Sequence, residues 1–221
     1  NILSPDYLQN GLAIRLSFPQ IEVFGGSIIG EFEELLEDWM VPYLSLLAIR
    51  EVKEDIWSNV PHKVGFYPCG AGMFLTRNVA KAYINLLAID SRRIQMDRRG
   101  KSLASGGDCD ICFLAENMKL GVGLFSILQL THLIPAGRMK LDYLLRLSEG
   151  ITISGLVLSY LWGRGLRHPP NSIRRRFGLM RMRARLSPIE RQFFDARLKG
   201  EKAAATIVRK LADRLSSESP L

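Results

Sequence analysis

Residues Ser105-Gly106-Gly107-Asp108-Cys109-Asp110-Ile111-Cys112-Phe113-Leu114 place two glycines directly ahead of two carboxylates and an apolar run. Ile111, Leu114, Ala115 and Met118 fall on one face, which predicts a helix over Asp108–Lys119 with Gly121 as its C-terminal stop. Asp108 and Asp110 then sit on the first turn, where unpaired N–H groups and the helix dipole favour a negative charge. An ionised carboxylate with a glycine-lined approach suits a general base that takes a proton from a hydroxyl. The alternative is that Asp108 only caps the helix, Asp being a favoured cap.

Outward from this segment, Val122–Leu130 reads as a strand. Asp142–Trp162 reads as a long, largely apolar helix interrupted at Gly150 and Gly155. Upstream, Leu12–Phe18 and Ile21–Phe24 read as extended, broken by Pro19 and closed by Gly25-Gly26. Phe32 to Val52 has helical spacing, with Pro42 expected to start a second helical segment. Residues 53–72 read as irregular, Val79–Ile89 as a helix, and Asp90–Gly106 as a charged, mobile loop.

The chain has 221 residues, 47% hydrophobic and 24% charged, a balance that excludes extensive disorder and collagen-like sequence. Its net charge of +8 is unevenly placed. Residues 1–162 hold 15 basic and 17 acidic side chains, whereas residues 163–221 hold 15 basic and 5 acidic. The sequence therefore divides into a near-neutral body, 1–162, and a basic helical tail, 163–221. The best apolar run, Ile151 to Trp162, is short of the roughly 20 residues of a spanning helix, so no membrane span is expected. Residues 1–20 lack the pattern of a secretory signal. The opening Asn1, leading straight into structured-looking sequence, is read as the start of a C-terminal fragment.

Cys69, Cys109 and Cys112 are too few for a disulfide framework and fit a reducing compartment. Cys109 and Cys112 have the spacing of a redox or zinc pair, but no second pair or nearby His completes a four-ligand set. They read as ordinary helix residues.

Three motifs occur in order: Pro68-Cys69-Gly70-Ala71-Gly72-Met73-Phe74-Leu75-Thr76-Arg77, Gly100-Lys101-Ser102-Leu103-Ala104-Ser105-Gly106-Gly107-Asp108-Cys109-Asp110, and Leu130-Thr131-His132-Leu133-Ile134-Pro135. Together they resemble the C-terminal half of a family-2 glycosyltransferase of the GT-A fold. Gly25–Glu33 and Tyr143–Ile151 resemble a bacterial branch of that family. The resemblance covers residues 1–162 and implies an α/β domain with a mixed sheet, followed by a helical basic extension.

The resemblance further implies an inverting sugar transfer from a nucleotide-sugar to the hydroxyl of a glycan or lipid-linked acceptor. Asp108 takes the general base's position, with Gly107 where the family commonly has Glu. A divalent cation, Mn or Mg, is implied to neutralise the departing diphosphate, with its main ligands in an Asp-x-Asp motif upstream of Asn1. The nucleotide-binding half is thus expected to be missing, and these residues are not expected to catalyse transfer alone. His132 is a candidate cation ligand, the alternative being a structural histidine. Gly70, Ala71 and Gly72 are candidates to line the sugar pocket, the alternative being a plain turn. Asp110 is a candidate supporting or substrate-binding group. Trp57 and Asp55 are candidate acceptor contacts, with core packing the alternative for Trp57.

In the tail, Arg174 to Leu186 interleaves Arg with Phe, Leu and Met. Three readings stand beside each other: an anionic membrane surface, a solvated basic helix, and nucleic acid, which has little aromatic support. A non-catalytic interaction module acting through this tail is the alternative to an enzyme. The enzyme reading carries an expected location in the cytoplasm, peripheral at the inner face of the cell membrane.

Overall fold

The computed structural model describes residues 1–60, 66–98, 100, 102–164 and 173–217. They form a mixed α/β structure. The elements are β1 (Ile2–Leu3), α1 (Tyr7–Ser17), β2 (Ile21–Phe32), β3 (Ile56–Ser58), β4 (Phe74–Leu75) and α2 (Arg77–Ile89). After them come α3 (Gly107–Asn117), β5 (Gly121–Ile134), α4 (Leu141–Leu161), α5 (Ile173–Ala184) and α6 (Pro188–Ser217). Two compact units result, one of Asn1–Gln95 with Gly106–Leu144 and one of Met96–Ser105 with Leu145–Leu221.

The first unit is built on β2 and β5, which pair in parallel, with β1 and β3 antiparallel to β5 and β4 antiparallel to β2. Apolar residues fill both faces of this sheet, as expected of strands covered on two sides. Tyr7 and Ile14 of α1 pack with Ile21, Phe24, Ile28, Phe125, Leu128 and Leu130. On the other face Val23 and Val122 meet Val79 of α2 and Cys112 and Ala115 of α3. The sheet carries one irregularity: Gly26 pairs with Phe125, but Ser27 pairs with Gln129. A Cβ on Gly26 would lie 2.1 Å from the Leu128 carbonyl oxygen, so glycine is needed where β5 bulges against β2.

Several expectations are corrected. Leu12–Phe18 is not extended, because α1 runs through it to Ser17. Its buried residues Tyr7, Gly11 and Ile14 follow helical spacing, while Leu8, Leu12 and Leu16 stand exposed. Those exposed leucines gave the segment an apolar look without a visible stripe. Gly25-Gly26 does not close a strand but lies within β2. Pro42 sits inside a continuous 3₁₀ run, Asp38–Leu47, which ends at Ala48 with φ +64°. Gly121 opens β5, and the left-handed position after α3 is taken by Lys119 at φ +60°.

In the 90–106 segment, Ser91–Met96 forms a 3₁₀ turn with Arg93 buried; Arg99 and Lys101 lie outside the described residues. Val79–Ile89 is helical as expected, within α2, and Val122–Leu130 lies within β5.

The second unit is helical. α4 is uninterrupted, and by length and composition alone it is long and apolar enough to cross a membrane, contrary to the sequence expectation. Ser154, Val157 and Leu158 on it are buried. Gly150 does not break α4; a Cβ there would lie 2.4 Å from the Leu103 carbonyl oxygen, so its role is close backbone approach. The start of α6 is a reciprocal cap: the Ser187 N–H donates to Glu190 Oε2 at 2.8 Å, and the Glu190 N–H to Ser187 Oγ at 3.4 Å. The bond from Ser187 holds the Glu190 carboxyl below its ordinary pKa. Ala204, Ile207, Val208, Leu211 and Leu215 recur in the sequence at the spacing of an amphipathic stripe, and on α6 Ala204 and Val208 of that set are buried. In the sequence, Gly163-Arg164-Gly165 and His168-Pro169-Pro170-Asn171 read as a linker, and of these Gly165 and His168 to Asn171 lie outside the described residues.

Candidate functional site

Asp108 is the second residue of α3, and Gly106 holds the cap position, so Asp108 is not the helix cap. Its carboxylate is held from two sides. Oδ1 accepts the N–H of Cys109 at 2.8 Å, and Oδ2 accepts the N–H of Gly70 at 3.1 Å. Two of the three motifs read from the sequence therefore meet at this carboxylate. Asp108 is partly exposed and Gly70 exposed, which leaves the edge of the carboxylate accessible.

The turn carrying Gly70 is anchored beneath. Cys69 and Ala71 pack on the Tyr7, Phe24 and Leu130 cluster. The Tyr7 hydroxyl donates to the Gly72 carbonyl at 2.6 Å, and burial pushes this phenol up to about 12. Gly72 has φ +72°, and a Cβ on it would lie 2.2 Å from Leu130 Cδ2 and 2.5 Å from Tyr7 Oη. Gly70 is unlike it: a Cβ there would only touch Asp108 Cβ at 3.8 Å. Gly72 is thus required by the turn, whereas Gly70 leaves open space above Asp108.

The neighbouring thiols report the same charge. Cys109 is pushed up to about 12, first by burial and next by the Asp108 carboxylate. Burial also raises Cys69, with the Arg50 guanidinium opposing and Asp108 adding. Cys69, Cys109 and Cys112 are free thiols, Cys112 being buried.

Asp110 is 1% exposed, and Arg93 Nη1 donates to its Oδ1 at 2.6 Å. It ties the 91–96 turn to α3 and supports Asp108's helix from within. Trp57 lies on β3 opposite Gly123 of β5, 39% exposed, so it is not a core residue. Asp55 accepts both the N–H and the hydroxyl of Ser126 at 2.8 Å. His132 lies opposite Gly30 in the β2–β5 pairing, and its Nδ1 is 3.1 Å from the Leu47 carbonyl oxygen, so that nitrogen carries the proton. No contact links Trp57 or His132 to Asp108 among the described residues.

Among the described residues, no three His, Cys, Asp or Glu side chains are placed together as a metal-holding group. A cleft at the ends of β2 and β5 is lined by Glu31, Phe32, Glu33, Leu133, Ile134 and Pro135, adjacent to His132 in sequence and apart from Asp108 in its lining.

Sequence reasoning missed Arg50, Arg93, Tyr67 and Glu116. Arg50 Nη1 donates to the Tyr67 carbonyl at 2.6 Å, and the Tyr67 hydroxyl donates to buried Glu116 at 2.8 Å. Arg93 looked like one arginine among several in a charged loop, and only its burial separates it. The Glu116 position on α3 carried a weak signal, a carboxylate one residue after the apolar pair Leu114-Ala115. No family model matches the chain, and neither a curated protein nor a solved structure matches it.

Proposed function

We propose that this chain carries the acceptor-side portion of an inverting glycosyltransferase of the GT-A type, with Asp108 as the base. The observation that supports it most is the bond from Gly70 N–H to Asp108 Oδ2, which joins the glycine turn and the carboxylate motif at one exposed edge.

In this reading the acceptor hydroxyl lies at the open side of the Gly70 turn and gives its proton to Asp108 as its oxygen attacks the anomeric carbon. The nucleoside diphosphate departs from the opposite face, which inverts the configuration. The Gly70 and Cys109 N–H groups fix the carboxylate's orientation, as a base must be held within hydrogen-bond reach of the proton it takes. The buried Arg93–Asp110 pair steadies the helix beneath. Trp57, half open to solvent, is available to a sugar ring. A donor nucleotide and a divalent cation belong to the proposal and are assigned no residue of this chain beyond the candidate His132.

The test is transfer from a panel of nucleotide-sugars by the protein made from its complete reading frame, with product configuration read by NMR. Transfer with inversion is expected. Retention, or no transfer and no donor hydrolysis with any sugar, contradicts the reading.

A further inference from the structure

We infer that the outward face of α5 docks on an anionic lipid bilayer. Two ion pairs tie one side of the helix to α6. Arg175 Nη2 lies 2.9 Å from Glu201 Oε2, and Arg183 lies 2.7 Å from Asp195, so these two arginines are turned to α6 and neutralised. Leu179, between them on the helical wheel, is the partly buried residue of that side.

The opposite side is centred on Phe177, which is 63% exposed, with exposed Met180 and Ala184 in its row at helical spacing. The adjoining row holds Arg174, Arg181 and Arg185, and Arg176 borders the other flank; all four are exposed. None of these four has an acidic partner among the described residues. Apolar side chains that water disfavours thus stand beside unneutralised guanidiniums. That pairing matches a surface of phosphate headgroups over acyl chains: Phe177 and Met180 enter the boundary while the arginines remain at the phosphates. A nucleic acid would match the charge but leave Met180 without a partner.

The test is co-sedimentation of the full chain with vesicles of neutral phosphatidylcholine alone, or with a third of it replaced by phosphatidylglycerol. A single-stranded oligonucleotide serves as a parallel arm. Binding to the anionic vesicles only is expected, weakened about fivefold for each of Arg174→Gln, Arg176→Gln, Arg181→Gln and Arg185→Gln. Phe177→Ser with Met180→Ser is expected to weaken vesicle binding about tenfold or more while leaving its salt dependence unchanged. These positions are exposed, and circular dichroism confirms that the variants keep their helix. No binding to anionic vesicles at moderate salt, equal binding to neutral ones, or tighter binding to the oligonucleotide overturns the inference.

Discussion

The backbone N–H of Gly70 donates to the carboxylate of Asp108 at 3.1 Å, across 38 positions of sequence. The bond is possible because Gly70 sits on a turn pinned by Tyr7 and Gly72, while Asp108 sits at the start of α3, itself packed on the sheet through Cys112 and Ala115. Rigid supports on both sides give the carboxylate one orientation.

The two glycines of that turn should respond differently to the same change. Gly72→Ala forces a side chain into a left-handed backbone and against Tyr7 and Leu130, at a cost of about 2–4 kcal/mol. Gly70→Ala meets only ordinary contact and should cost no more than about 1 kcal/mol. Urea unfolding of both variants checks this, and equal losses would contradict the geometry described for the turn.

Arg93 and Asp110, 6% and 1% exposed, form a buried ion pair, with Arg93 also 3.4 Å from Asp90. Arg93→Met should destabilise by about 3–5 kcal/mol, because it strands a buried carboxylate. The double change Arg93→Met with Asp110→Leu should recover most of that loss. If the double variant is as unstable as the sum of the single ones, the pair is not the coupled unit described.

Asp90 supplies a pH dependence. Its carboxyl lies below its ordinary value of 3.8, chiefly through the hydrogen bond from Arg92, with burial opposing. A carboxyl lowered in the folded state contributes stability above its unfolded pKa and loses it as pH falls through the folded one. The stability difference between wild type and Asp90→Asn should therefore be full near pH 6 and shrink below the ordinary value. A difference that grows on acidification would reverse the sign.

Cys109 offers a reporter on Asp108. Burial is the larger cause of its raised pKa, and the Asp108 carboxylate the next. Alkylation of native protein at pH 8 should be slow at Cys109 and faster in Asp108→Asn, with mass spectrometry locating the label. An unchanged rate would mean that the two groups do not sense each other.

The parts of this fold that showed in the sequence are those whose apolar pattern is single-faced or continuous. β5 was legible because most of its Val122–Leu130 run is buried, and α2 because partly buried Tyr83, Leu86 and Leu87 follow buried Val79 at helical spacing. α1 was not, since Leu8, Leu12 and Leu16 project to solvent and fill in the gaps of its stripe. Asp108 was legible through its glycines and its place on the first turn. Arg93 was hidden because charge in a loop reads as solvated, and only a partner 17 positions away, Asp110, makes its burial possible. The Gly70 contact was hidden for the same reason, being a tertiary bond between two local motifs.

The central claim, that Asp108 is the base of a sugar transfer, is tested most directly by steady-state transfer kinetics of Asp108→Asn in the protein made from its complete reading frame. Nucleotide affinity is measured alongside by calorimetry. The account predicts a fall in kcat of about 10²–10⁴-fold, with nucleotide affinity and thermal stability close to wild type. Turnover equal to wild type would contradict it.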